Sequence, residues 1–409
     1  MMTISKENSF RFFLLAFVFF IPVSQGLSIK LLILTIVLSL VLIRNAKWKY
    51  ELAKNGGDLI LFFGILTLGL LYTDDVENGL SVLEKNLSFI MVPLLFSRID
   101  FFDKNFVNRI LSVFTGGVVA ASFICLSYAL WRDIHLNYPN GYYYDQFTSV
   151  IDSHPTYMAY YVCFSIIFLL YLISYEPNSK RQQFFIILGI LFLSMILMLT
   201  AGRTTFVSML MMSSFFFLKL LFEPQPIKNK LRGISVTILL VAIILVQSPY
   251  SKKMFPNFPN GRSASLDQMK GDSWERLILW KSAMKATSNI FIGVGTGDHT
   301  NVMNEYYRAH DLSKFAETNF NAHNEFIEIL FSNGLLGLFS LILMMMRPIY
   351  LCVRRQNVFG MLTFFPFLIY GISEVFLGRY QGIIFFVLLH QIFMKYLNQN
   401  SERFSIKNL

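Results

Sequence analysis

Three side chains stand where apolar sequence gives way to polar sequence. Arg203 lies in Leu199-Thr200-Ala201-Gly202-Arg203-Thr204-Thr205, a short turn between two apolar blocks. Arg276 lies in Ser273-Trp274-Glu275-Arg276-Leu277-Ile278-Leu279-Trp280. His323 and Asn324 open a long apolar run in Ala322-His323-Asn324-Glu325-Phe326-Ile327-Glu328, which continues through Ser332-Asn333-Gly334-Leu335-Leu336-Gly337. Guanidinium groups stay charged and bind phosphate oxygens in fork geometry. An imidazole near neutral pKa can accept a proton from a hydroxyl. Together they suit anion binding beside hydroxyl activation. Each also has a plainer reading. Arg203 can snorkel to lipid headgroups, Arg276 can pair with Glu275 or a lipid phosphate, and a histidine at a helix start is often structural.

The elements that must position these residues follow from composition. The chain has 409 residues, 55% of them hydrophobic, with 43 Phe and 15% charged, too little charge to cover a soluble domain of this length. Ile186 to Leu199 and Ile234 to Val246 contain no charged residue. We expect spans near 10–25, 27–43, 58–73, 80–97, 107–131, 154–175, 184–200, 203–222, 233–248, 323–347, 357–374 and 380–397. The fourth is interrupted by Glu84 and Lys85. The first is read as a retained span, since no small-residue cleavage site follows it. The expected fold is all-α: a polytopic membrane protein of about 12 transmembrane helices with one long non-cytoplasmic loop containing short helices.

Connections alternate in charge. Arg44, Lys47, Lys49 and Lys54 precede the third span, and Asp74, Asp75 and Glu77 follow it. Lys180 and Arg181, Lys228, Lys230 and Arg232, and Arg347, Arg354 and Arg355 fall on alternate connections. The net charge of +10 is thereby assigned to one membrane side. Both termini are expected to be cytoplasmic. Nucleic acid is not expected as a partner, because no basic patch is interleaved with solvent-facing aromatics. Cys125, Cys163 and Cys352, far apart within or beside apolar blocks, read as packing residues.

The chain divides into helices 1–9 over residues 1–248, a loop over 249–322, and helices 10–12 with a cytoplasmic tail over 323–409. The loop, roughly seventy residues long, is of a length that is usually functional. Trp274 to Ser288 has amphipathic spacing, Gly293-Val294-Gly295-Thr296-Gly297 is a glycine-rich turn, and Tyr306 to Phe320 is expected to be helical. Asp267, Asp272, Glu275 and Asp298 lack metal-ligand spacing, so no metal or cofactor is expected. Tyr138, Tyr142, Tyr143, Tyr144, Tyr306 and Tyr307 could stack on sugar rings but fit an interfacial aromatic belt better. His154 begins the sixth span on the same side as His323 and is a candidate cavity residue. His135, His299, His310 and His390 read as ordinary residues.

The stretch from His323 to Gly337 resembles the signature of the O-antigen ligase and O-antigen polymerase superfamily: His-Asn, apolar helix positions, then Gly-x-x-Gly entering a span. Gly293 to Gly297 resembles that family's Gly-x-Gly segment, Arg276 with Trp280 its preceding Arg and Trp, and Ala201 to Thr204 its small-residue-Arg turn. The motifs cover residues 184 to 345. One departure is Ser332, where the family often has Glu. The resemblance implies a metal-independent, inverting glycosyltransferase in the bacterial inner membrane, its site facing the periplasm. The donor would be an undecaprenyl-diphosphate-linked glycan. The acceptor would be lipid A-core or another glycan. Arg203 and Arg276 would bind the diphosphate, His323 would assist the acceptor hydroxyl, and Asn324, Glu325, His154 and Gly295 would line the cavity or hold the acceptor. A polymerase extending a carrier-linked glycan shares this donor chemistry and differs in its acceptor. A lipid-linked sugar transporter or flippase is a more distant reading, disfavoured by the absence of paired broken helices and internal symmetry.

Overall fold

The computed structural model describes residues 2–42, 45–99, 102–142, 144–200, 203–222, 227, 230–231, 233–238 and 272–406. It is an all-α polytopic membrane protein. Six helices precede the central one: α1 (Met2–Phe20), α2 (Gln25–Leu42), α3 (Trp48–Leu68), α4 (Val76–Asn86), α5 (Ser88–Ser97) and α6 (Lys104–Leu136). The next three are α7 (Pro155–Tyr175), α8 (Lys180–Leu199) and α9 (Arg203–Phe222). The short helices α10 (Asp272–Ala286), α11 (His299–Ala309) and α12 (Ser313–Glu317) lead into α13 (Glu325–Arg354), α14 (Val358–Ser373) and α15 (Tyr380–Ile406).

Among the described residues, 9 helical segments are long and apolar enough to cross a membrane. The expected span 10–25 falls on α1, which carries Lys6, Glu7 and Arg11 and ends at Phe20. Span 357–374 falls on the shorter α14. Of span 233–248, residues 239–248 lie outside the described residues. The expected fourth span falls on Val76–Ser97, one of these nine segments: α4 starts at Val76, where Asp75 accepts the Asn78 N–H, and the helix tightens at Leu87 before α5 continues. α4 is the amphipathic half, carrying Glu84 and Lys85, and α5 contains no charged residue.

Why the bundle closes is clear from its aromatic content. α7 and α15 are buried on nearly all sides, while Phe12, Phe184, Phe222 and Phe339 project outward where lipid would contact them. Phe114 stacks on Phe385 at 5.0 Å, and Tyr160 on Tyr370 at 5.1 Å. Such pairs contribute about 0.5–1.5 kcal/mol beyond their buried area. The three cysteines are free and buried.

One end of the bundle is bound by buried charge. Asp58 on α3 accepts from Arg347 Nη1 of α13 at 2.9 Å and faces His390 Nε2 of α15 at 2.8 Å. Lys395 reaches Glu51 at 3.3 Å. Charges so far from water persist only when paired. His390 is thus a buried partner of Asp58 rather than an unremarkable residue.

The other end is organised by a break in α13. Gly334 has φ +66° and ψ −162°, which interrupts the hydrogen-bond ladder. The glycine-rich turn meets the groups this releases. Val294 N–H donates to Phe331 O, Gly295 N–H to Ser332 O, and Leu335 N–H to Ile290 O, each at 2.9 Å. A Cβ on Gly334 would collide with the Phe291 carbonyl, and one on Gly293 (φ +75°) would lie 2.5 Å from Ser332 O. The turn is fixed in its own right: Asp298 accepts from Asp74 N–H at 2.9 Å and Asp75 N–H at 2.7 Å, and Thr296 Oγ1 donates to Leu66 O at 2.7 Å. Glycine-rich turn, α3, α4 and the broken α13 therefore form one unit.

Residues 272–322 build a small second core of Leu279, Ala283, Met303, Tyr307, Phe315, Ala316 and Ala322, closed against Phe331 of α13. α10 begins two residues before the expected Trp274. The helix expected over 306–320 is instead two: α11 starts earlier, at His299, and Asp311, with φ +58°, breaks the chain before α12. That break lets Tyr307 and Phe315 pack at 5.7 Å on the same core.

Replacing Gly334 with Ala should impose a left-handed φ on a residue bearing a Cβ, costing about 1–3 kcal/mol before the collision is counted. The detergent-solubilised variant should melt several degrees lower or fail to elute as a single species. Gly26→Ala, where an added Cβ meets nothing within 4 Å, serves as the control and should be neutral or slightly stabilising.

Candidate active site

His323 occupies the junction between the second core and α13. Its backbone is left-handed, φ +44°, a conformation that costs a non-glycine residue about 1–3 kcal/mol and persists only when neighbours hold it. Here the His323 N–H donates to Asn321 Oδ1 at 2.9 Å, and Asn324 immediately caps α13 by accepting from Ile327 N–H at 3.1 Å. The imidazole lies against Phe320, with ring centroids 5.6 Å apart. Its Nδ1 is 3.3 Å from Glu374 Oε1 and 3.4 Å from Oε2. A carboxylate at Nδ1 favours the proton there and leaves Nε2 as the acceptor.

Glu374 ends α14 and is brought to His323 by a buried link. Glu325, on the first turn of α13, accepts the Leu377 N–H at 2.8 Å, which pins the segment between α14 and α15. Arg379 ends that segment and is solvent-exposed. His154, the N-cap of α7, completes the group. Its Nδ1 accepts the Thr156 N–H at 3.4 Å, its Nε2 is 3.9 Å from Asp145 Oδ1, and its ring meets Tyr144 and Tyr157. Burial pushes the His154 pKa down. The nearby Arg379 and His323 act in the same direction, against Asp145 and Glu374.

The expected site residues are distributed as follows. His323 and His154 share one electrostatic neighbourhood. Arg276 is half-buried on α10, whose Leu279 and Ala283 belong to the second core below His323. Arg203 opens α9, and its side chain lies outside the described residues. The end of α8 is tied to the segment before His154 by Tyr144 N–H donating to Leu199 O at 3.0 Å. Gly295 packs against Thr73, behind the cavity wall, with its N–H engaged by Ser332. Asn324 is occupied as a cap. Among the described residues no three His, Cys, Asp or Glu side chains converge as metal ligands.

Beside this cluster lies a cavity of about 220 Å³. Glu325, Glu328, Ser332 and Asn333 of α13 form one wall, and Lys85 and Asn86 of α4 face them. Glu328 accepts the Ala322 N–H at 2.8 Å and stands 3.8 Å from His299 Nε2. Sequence reasoning missed Glu374 and Arg379 and read His299 as an ordinary residue. The one available signal was a carboxylate and an arginine in the short connection between the last two spans, on the same side as His323.

Residues 188–342 match the model of the protein family described as O-Antigen ligase. The match runs from α8 to beyond the α13 break, so Arg203, Arg276 and His323 fall inside it, and His154, Glu374 and Arg379 outside it. No curated protein matches the chain.

The lowered His154 pKa has a definite consequence for stability. Between pH 6.5 and the folded pKa the unfolded chain binds this proton and the folded chain does not, so stability is full above 6.5 and is lost as pH falls. Melting curves from pH 8 to pH 5 should show His154→Gln losing less stability on acidification than the parent. Equal slopes would contradict the assignment.

Proposed function

From an O-antigen ligase-like domain over residues 188–342, we propose that this membrane enzyme transfers a glycan from an undecaprenyl diphosphate carrier to an acceptor hydroxyl, acting as a ligase on lipid A-core at the periplasmic face of the inner membrane. The observation that carries this reading is the His323–Glu374 pair, a base with a carboxylate on Nδ1, held at a membrane-helix start by a strained backbone.

In this scheme the acceptor hydroxyl gives its proton to His323 Nε2 as its oxygen bonds to the anomeric carbon. The bond between that carbon and the diphosphate oxygen breaks, and the electron pair leaves with the diphosphate. Glu374 stabilises the imidazolium, as a carboxylate behind a catalytic histidine does elsewhere. Arg276 and Arg203 stabilise charge growing on the leaving group. Attack opposite the diphosphate inverts the anomeric centre. His154 and Arg379 add a titratable group and a cation beside the base.

The test is transfer by purified protein in vesicles supplied with carrier-linked glycan and, separately, lipid A-core. His323→Ala should lower the rate by about 10²–10⁴-fold, and Arg276→Ala by about 10²–10³-fold. Glu374→Gln should give a smaller loss, because the base remains and only its partner's charge is gone. Full activity in all three ends the proposal. Lengthening of the carrier-linked chain without added acceptor would replace the ligase reading with a polymerase.

A further inference from the structure

The cavity beside His323 has a composition that the transfer scheme does not use. The α13 positions facing it are Glu325, Glu328, Ile329, Ser332 and Asn333, one stripe at helical spacing. α4 answers with Asn78, Val82, Lys85 and Asn86, a second such stripe. Asn319 and Asn321 close the side towards the second core. A membrane protein places polar stripes on facing helices where they line a hydrated space rather than lipid.

The chemistry of that space is selective. Side-chain amides both donate and accept, as sugar hydroxyls do. Leu66, Ile329 and Val375 supply apolar surface for the C–H faces of a ring. A volume of about 220 Å³ corresponds to about seven waters at ~30 Å³ each, enough for one pyranose with its hydroxyls. Lys85 and Glu328 place one cation and one carboxyl group on facing walls, so the lining offers no excess positive charge to select a phosphate. Asn86 is 5% exposed and lines the cavity, and its Oδ1 has no hydrogen-bond partner within the protein. Its Nδ2 donates to Val82 O at 2.8 Å, one turn back on α4, so the amide is held beside the cavity from its own helix.

We propose that this cavity is a subsite for one neutral, hydroxyl-rich sugar ring of the transferred or accepting glycan, read by Asn86, Glu328 and Asn321 and separate from the arginines that take the diphosphate. It rests on the glycan-transfer reading above. Asn321 links the subsite to the base, since it lines the cavity while its Oδ1 holds the His323 N–H. Ser332 sits on the same wall as Glu328, one turn along, so the carboxylate of this wall is supplied from position 328.

The first experiment measures KM and kcat for donor and acceptor separately in Asn86→Leu and Glu328→Gln. Asn86→Leu removes an unpaired buried oxygen together with the bond its Nδ2 makes to Val82 O, so a folded variant is first verified by its melting temperature and the role is read from the kinetics. The KM for one of the two substrates should rise by about tenfold or more, with kcat changing less. The substrate whose KM moves identifies whether the ring belongs to donor or acceptor. Unchanged KM for both substrates, with transfer intact, overturns the subsite and leaves the transfer reading standing. The second experiment labels Thr300→Cys, at the cavity edge, with a maleimide; the native cysteines are all buried. Methyl hexosides and methyl N-acetylhexosaminides should slow labelling, and inorganic pyrophosphate should not. Protection by pyrophosphate alone overturns the proposal. Protection by the glycosides in a protein that transfers nothing keeps the subsite and removes the transferase.

Discussion

A transmembrane helix that breaks inside the bundle must find new partners for the backbone groups it releases, because hydrocarbon offers none. Each unmet group costs several kcal/mol there. The break in α13 at Gly334 is possible because the turn from Ile290 to Gly295 donates two N–H groups to Phe331 O and Ser332 O and accepts one from Leu335. That docking requires glycine on both sides, since the two backbones approach too closely for a Cβ. Everything at this end of the molecule depends on it. The turn carries Thr296 to the end of α3 and Asp298 to the start of α4, and the upper segment of α13 carries Asn324, Glu325 and Glu328.

The same constraint explains how charge is sorted. With α13 broken, its first turns point a polar stripe inward, and α4, fastened by Asp75 and Asp298, supplies the opposing wall. The carboxyl groups of that wall and the imidazole–carboxylate pair of His323 and Glu374 are held by neighbouring backbone N–H groups and side chains. Glu325 does two things at once: it lines the cavity and anchors the segment that delivers Glu374. In the proposed scheme the diphosphate is left to arginines outside this wall, on α10 and at the start of α9.

At the opposite end the problem is different and so is the solution. Asp58, Arg347 and His390 are joined side chain to side chain, with Lys395 and Glu51 alongside. These contacts tie α3, α13 and α15 together far from the proposed chemistry. A helix fixed at its far end by paired charges and broken in its middle can hold its first turns rigidly, which is what a precisely placed base requires.

The sequence by itself determined the architecture's class, because apolar length and scarce charge admit few alternatives to membrane helices. It also singled out His323, Arg276 and the two glycine motifs as candidates, since histidine and arginine at apolar boundaries and closely spaced glycines are local signals. That the two glycine motifs are one structure was not legible, for each glycine's partner lies some forty residues away. Glu374 reads in sequence as an unremarkable polar residue between two spans, and only packing brings it to His323. His299 and Asn86 were passed over for the same reason: they meet only across the cavity they share. Gly295 and Asn324 looked like cavity residues and are held by backbone bonding and capping. Sequence periodicity reports which face of a helix is apolar; which residues of separate helices meet across a gap is decided by how the broken helix is repaired, and that is a tertiary event.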